Sequence, residues 1–155
     1  MREPTPSSVP VSPPPSAQVG AAPPSVRFEE HQGELRVTIE AGTLAELFGE
    51  ATTVVSRACG PARGEPGGWE EVRLEAADDA TLLVDWLNEL IGRSEVEGRA
   101  YADVRVRELG GGRLTAEVRG CSVPVWESPI KAATYHGLAL EQRAGRWRAG
   151  VLFDV

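Results

Sequence analysis

Lysine is almost missing from this chain. Of its 16 lysine and arginine side chains, Lys131 is the one lysine. Arginine is a planar, permanently charged fork, whereas lysine is a compact ammonium on a flexible stem. A chain that uses arginine everywhere else makes its single lysine the first place to look for chemistry. The competing reading is a surface lysine left by chance. Cysteine is scarce too. Cys59 and Cys121 have no metal-site spacing, and no disulfide scaffold of a secreted protein is suggested. Cys59 reads as a small core residue at the end of a helix. No apolar run is long enough to span a bilayer, and the N-terminus lacks the apolar region of a secretory signal. A reduced cytoplasm is the expected location. Phosphate-binding glycine loops are lacking, because Gly110–Gly112 joins two strands and opens no helix. No nucleophile elbow or Ser-His-Asp pattern is visible. Two histidines and two cysteines do not make a structural zinc site.

What remains suits one domain. The chain has 155 residues, 41% hydrophobic and 25% charged, close to a soluble globular average. The net charge of -7 argues against broad, nonspecific binding to a phosphate backbone. A small basic patch, or docking on a basic protein, stays open.

Residues 1–25 read as a Pro-, Ser- and Ala-rich tail with little apolar surface to bury, so an extended, disordered segment is expected there. The folded domain is expected over 26–155. LRVTIE (Leu35 to Glu40) alternates strictly, which predicts a strand with one wet face. Thr43 and Glu46 form a capping box that opens a helix running to about Ala58. WEEVRLEA (Trp69 to Ala76) reads as a strand. Asp78 and Asp79 then start a second helix with the apolar stripe Leu82, Leu83, Trp86, Leu87, Leu90 and Ile91. Trp86 is expected in the core, and Asp85, Asn88 and Glu89 on the other side of the helix, solvated or capping. Tyr101–Leu109 and Arg113–Gly120 read as one hairpin about a glycine turn. Ala133–Glu141 and Arg146–Val155 read as a second. The expected fold is α+β, a two-layer sandwich with two helices on one face of a mostly antiparallel sheet.

Carboxylates are the candidate chemistry. Asp154 and the free terminus of Val155 place two anionic groups side by side at a strand end. They repel unless a cation lies between them, and hard cations such as Ca²⁺ or Mg²⁺ take oxygen shells of this kind. The alternative is a frayed, solvated terminus, which the apolar run Val151, Leu152 and Phe153 disfavours. Glu34, beside His31 in the connection before LRVTIE, would add a third carboxylate if that connection meets the terminus in space. Spacing alone does not show that it does.

TLAELF (Thr43 to Phe48), LLVDWLNELI (Leu82 to Ile91), IKAATYHGL (Ile130 to Leu138) and the final LFDV (Leu152 to Val155) fall in the order and rough spacing of the archease family. The chain resembles that family from about Val26 to its last residue. The resemblance implies a small, non-enzymatic activator of the RNA ligase that joins a 2′,3′-cyclic phosphate end to a 5′-hydroxyl end. That ligase works through a guanylylated histidine and acts in tRNA splicing and RNA repair. The activator promotes guanylylation and multiple turnover. A monomer is expected, touching RNA only through the ligase and binding no membrane. The resemblance also implies a divalent metal site of Glu34, Asp154 and the Val155 carboxylate. Here the chain departs from the family, reading His31-Gln32-Gly33-Glu34 where His-Thr-Ala-Asp is usual. The carboxylate therefore stands one methylene further out, which suits Ca²⁺ better than Mg²⁺. The family's lysine maps to Lys131, with His31 and His136 as supporting candidates. His136 reads first as a buried, hydrogen-bonded strand residue. Two other readings compete: a small metal-dependent hydrolase using the same carboxylates, and a structural interaction protein whose acidic end only solubilises it.

Overall fold

The computed structural model describes residues 22–155. Residues 1–21 of the stretch read as a tail lie outside the described residues. Strands β1 (Ser25–His31) and β2 (Glu34–Ala41) lead into helix α1 (Leu44–Ala58). Strand β3 (Glu70–Glu75) and helix α2 (Asp79–Glu97) follow, then β4 (Arg99–Gly110), β5 (Arg113–Ser122), β6 (Ala132–Arg143) and β7 (Arg146–Asp154). All strand pairings are antiparallel, and the α+β class read from the sequence is borne out. The strands divide between two sheets, ordered β1-β2-β7-β6 and β3-β5-β4. In the first sheet the opening hairpin of the domain pairs with its closing hairpin.

Local chemistry explains the elements. Three hairpins turn on two residues each: Gln32-Gly33, Gly111-Gly112 and Ala144-Gly145, with positive φ at both positions. That is the type I′ geometry, whose twist matches the flanking strands. Thr43 caps α1 by accepting from the Glu46 amide at 3.0 Å, and the Glu46 carboxylate reaches back to the Gly42 amide. Asp78 caps α2 by accepting from the Thr81 amide at 2.8 Å, and Gly98 ends it in the left-handed conformation. The Asp79 carboxylate then accepts from the Gly112 amide, tying the glycine turn to the start of α2.

The two helices and the inner faces of both sheets share one core. It joins Val37, Ile39, Val151 and Phe153 to Leu47, Phe48, Trp86, Leu87 and Leu90, and to Val72, Leu114 and Val118. Full burial of each large side chain contributes roughly 1.5–3 kcal/mol. Trp86 lies in this core as expected, with 1% of its surface exposed. Its indole N–H donates to Thr52 Oγ1 at 2.9 Å, and that hydroxyl donates to the Phe48 carbonyl at 2.7 Å. Among the described residues no helix is long and apolar enough to cross a membrane.

Candidate functional site

The Gln32-Gly33 turn makes His31 the last residue of β1 and Glu34 the first of β2. The sequence placed both in a connection. Gln is unusual where φ is positive, so the two-residue turn was hard to see. The odd-numbered residues of β2 face the core, where Val37 and Ile39 are buried. Glu34 therefore starts the outer row with Arg36 and Thr38.

Register brings the two ends of the domain together. Glu34 pairs directly with Asp154, and His31 lies opposite Glu34 on the other side. The Val155 amide donates to the Gly33 carbonyl at 3.1 Å. Alternation along the ladder then makes Glu34 and Asp154 a non-hydrogen-bonded pair, with Cα atoms roughly 4.5 Å apart and side chains on one face. Like charges in such a position destabilise the pairing unless something offsets them. Val151, Leu152 and Phe153 are buried, and the Val155 side chain packs on the core, so the last strand is held. On the other side of β7, Ala132 pairs with Asp154. The Lys131 amide donates to the Asp154 carbonyl at 2.8 Å.

Glu34, Asp154, Val155, Lys131 and His31 thus meet at one end of the four-stranded sheet. All of these but Val155 are exposed. A shallow cavity of about 340 Å³ opens beside them, lined by Glu29, Glu30, His31, Glu34, Arg36 and Leu152. Among the described residues no three His, Cys, Asp or Glu side chains converge to hold a metal. What the register does bring together is the pair of side-chain carboxylates Glu34 and Asp154, and carboxylate oxygens are the donors that hard cations take. Lys131 also stands apart electrostatically. The ion pairs found among the described residues all use arginine, and two arginines stack on Trp69.

His136 does not join this group. It is exposed, which corrects the expectation of a buried strand histidine. Pairing of β6 with β7 breaks between Thr134 and Ala139, and Gly137 takes a φ of +64°. Counted from buried Ala133, His136 has the outer-face parity of Ala132 and Thr134, and the break shifts that parity before Leu138 and Leu140 pack on the core. His136 also stands four residues beyond Ala132, about 13 Å at ordinary strand rise.

Two contributors were missed. Asn88 is not on a solvated side of α2. Its amide donates to the Ala133 carbonyl at 3.0 Å and its oxygen accepts from the Ala133 amide at 2.8 Å. Asp85 accepts a hydrogen bond from the Tyr135 hydroxyl, and Glu89 pairs with Arg93 at 2.8 Å. The signal was available in the spacing of Asp85 and Asn88, three apart and so on one helix face. The second is Arg36, which lies across the outer face. A Cβ built on Gly137 would come within 3.3 Å of its Nη2, and one on Gly150 within 3.8 Å of Nη1.

Residues 27–155 match the Archease protein family (MTH1598/TM1083). The archease of Methanosarcina acetivorans is 33% identical over 140 residues, covering 83% of this chain and 94% of that protein. The archease of Methanopyrus kandleri is 34% identical over 98 residues, covering 59% of this chain and 70% of that protein. In fold, the crystal structure of a Thermotoga maritima archease, described as a possible chaperone, is similar with a TM-score of 0.61 at 24% identity. It covers 82% of this chain and 94% of that one. The solution structure of Methanobacterium thermoautotrophicum protein 1598 gives 0.63 at 19% identity, covering 84% and 98%. With the motifs, the fold and a family match over nearly the whole described region in agreement, this chain belongs to the archease family.

Proposed function

We propose that this chain is a non-enzymatic activator of an RNA ligase that seals 2′,3′-cyclic phosphate ends to 5′-hydroxyl ends, promoting the ligase's guanylylation and repeated turnover. The observation that carries this reading is the direct opposition of Glu34 and Asp154 beside the chain terminus, with the Lys131 amide on the Asp154 carbonyl. Glu34, Asp154 and the Val155 carboxylate would hold a divalent cation, with Ca²⁺ favoured by the longer Glu34 arm. When bound, that ion supplies a positive centre that orients phosphate oxygens. Lys131 offers a second, mobile point charge toward phosphate. His31, at the end of the same outer row, stands ready as a further donor. Nothing in this set requires a nucleophile or a general base on the chain itself. Cys59 and Cys121 are free thiols, which suits the proposed place in the cytoplasm.

The test is ligation of a cyclic-phosphate RNA by limiting purified ligase, with and without the full chain. Faster guanylylation and many turnovers per ligase are expected. An unchanged single-turnover yield would overturn the proposal. RNA or nucleotide hydrolysis by the chain alone would favour a metal-dependent hydrolase instead.

A further inference from the structure

β6 is one of the two edge strands of its sheet. Its first residues would present unpaired amides and carbonyls to solvent, and such edges are ordinarily mobile or covered. Here α2 covers them with side chains. The Asn88 carboxamide bonds both the amide and the carbonyl of Ala133, as a neighbouring strand would. One turn earlier, Asp85 accepts from Tyr135, although Tyr135 is 56% exposed. Between these contacts and β7, the segment 131–135 is gripped from both sides. Lys131 bonds Asp154 on one side, and Ala133 and Tyr135 bond α2 on the other. Beyond Thr134 the ladder to β7 is interrupted as far as Ala139, and within that stretch the Tyr135 hydroxyl is bonded to α2.

We infer that Asn88, with the Asp85–Tyr135 contact, positions Lys131 against the carboxylates of Glu34, Asp154 and Val155. These are positioning residues, and none of them touches the proposed cation or phosphate. The inference rests on the proposed joint action of Lys131 and the carboxylates. It links two segments that are distant in sequence, the DWLNEL helix and the KAATYHGL strand, as a clamp and the part it holds. The bond to Asp85 raises the Tyr135 hydroxyl above the ordinary phenol range.

The single lysine makes the test direct. Reductive ¹³C-methylation of the full chain labels Lys131 and the α-amino group alone, and the two amines differ in pKa. Wild type, Asn88→Ala and Tyr135→Phe are compared in a Ca²⁺ titration followed by the Lys131 methyl resonance and by the backbone amides of Gly33 and Asp154. The backbone amides should report the same Ca²⁺ affinity in all three chains. The Lys131 resonance should respond in wild type, lose its response in Asn88→Ala, and weaken in Tyr135→Phe. In the ligation assay, maximal activation by Asn88→Ala should fall roughly ten- to hundredfold, as small misplacements of a working group do. The concentration of chain giving half-maximal activation should stay the same, which a general loss of structure would not allow. If both variants are folded and show the wild-type lysine response, the positioning role is overturned. If wild type binds Ca²⁺ and Lys131 responds, but no ligase is activated, the clamp stands and the activator reading fails. Tyr135→Phe removes one exposed hydroxyl, so it keeps the test open should Asn88→Ala unfold.

Discussion

Thr52 carries two hydrogen bonds on one buried oxygen, so a single substitution tests the core's polar satisfaction. Thr52→Val keeps the shape but strands the Trp86 indole N–H. The expected loss is about 1–3 kcal/mol in denaturant unfolding. A change below the error of the measurement would mean that the indole finds another acceptor. The two tyrosines give a second residue-scale test. Burial pushes the Tyr101 phenol up to about 12, and its bond to the Glu70 carboxylate adds to this. Tyr135 is raised by its bond to Asp85. The neutral phenol is the form the fold favours. This contribution to stability is therefore complete below the ordinary tyrosine value of about 10 and is lost as pH rises through the folded values. Ultraviolet titration should show no normal tyrosine in the folded protein and two in the unfolded one. Side-chain roles were unevenly legible. Trp86 stood in a run of helical spacing and was placed in the core correctly. Asn88 was misread because its partner is a backbone group, and backbone partners leave no mark on composition.

Elements were the most legible scale, because caps and turns are local. The Thr43 and Asp78 caps, the ends of α1 and the glycine turn after β4 all follow from residues within a few positions of each other. That turn also supplies a prediction. Gly112 has φ of +77°, and a Cβ there would lie 2.3 Å from the Ala76 carbonyl oxygen. Gly112→Ala should destabilise by at least about 1 kcal/mol from backbone strain alone, with more from the clash. The turn touches α2 through Asp79, so amide exchange should speed up at the start of α2 as well as in the hairpin. Protection confined to its wild-type pattern would count against this coupling. The strand containing His136 was the least legible element. A strand is read from alternation, and the break after Thr134 interrupts it without any proline to announce the change.

At the scale of the whole molecule, the pairings β2–β7 and β3–β5 were not readable. They join strands far apart in the chain, and nothing in either strand names its partner. The split into two sheets was hidden for the same reason. Residue spacing left open whether Glu34 and Asp154 meet, the family resemblance implied it, and the register places them opposite one another. This meeting predicts that a cation should stabilise the fold. Ca²⁺ at a hundred times its dissociation constant would add about 2.7 kcal/mol, visible as a higher melting temperature. Asp154→Asn should abolish that gain while leaving the cation-free protein near wild-type stability or slightly above it, since a repulsion is relieved. A glycine-serine extension after Val155 should act in the same way. Equal Ca²⁺ stabilisation of all three chains would remove the proposed ligands.

The seam between the first and last hairpins has a temporal consequence. Each hairpin can close on itself early, since its turn is only two residues long, but the seam must wait until both are made and brought together. A chain still emerging from synthesis, or one with its core incomplete, has no juxtaposed carboxylates to present. A partner that recognises this end of the sheet would therefore engage finished molecules and pass over unfinished ones, with no separate checkpoint needed.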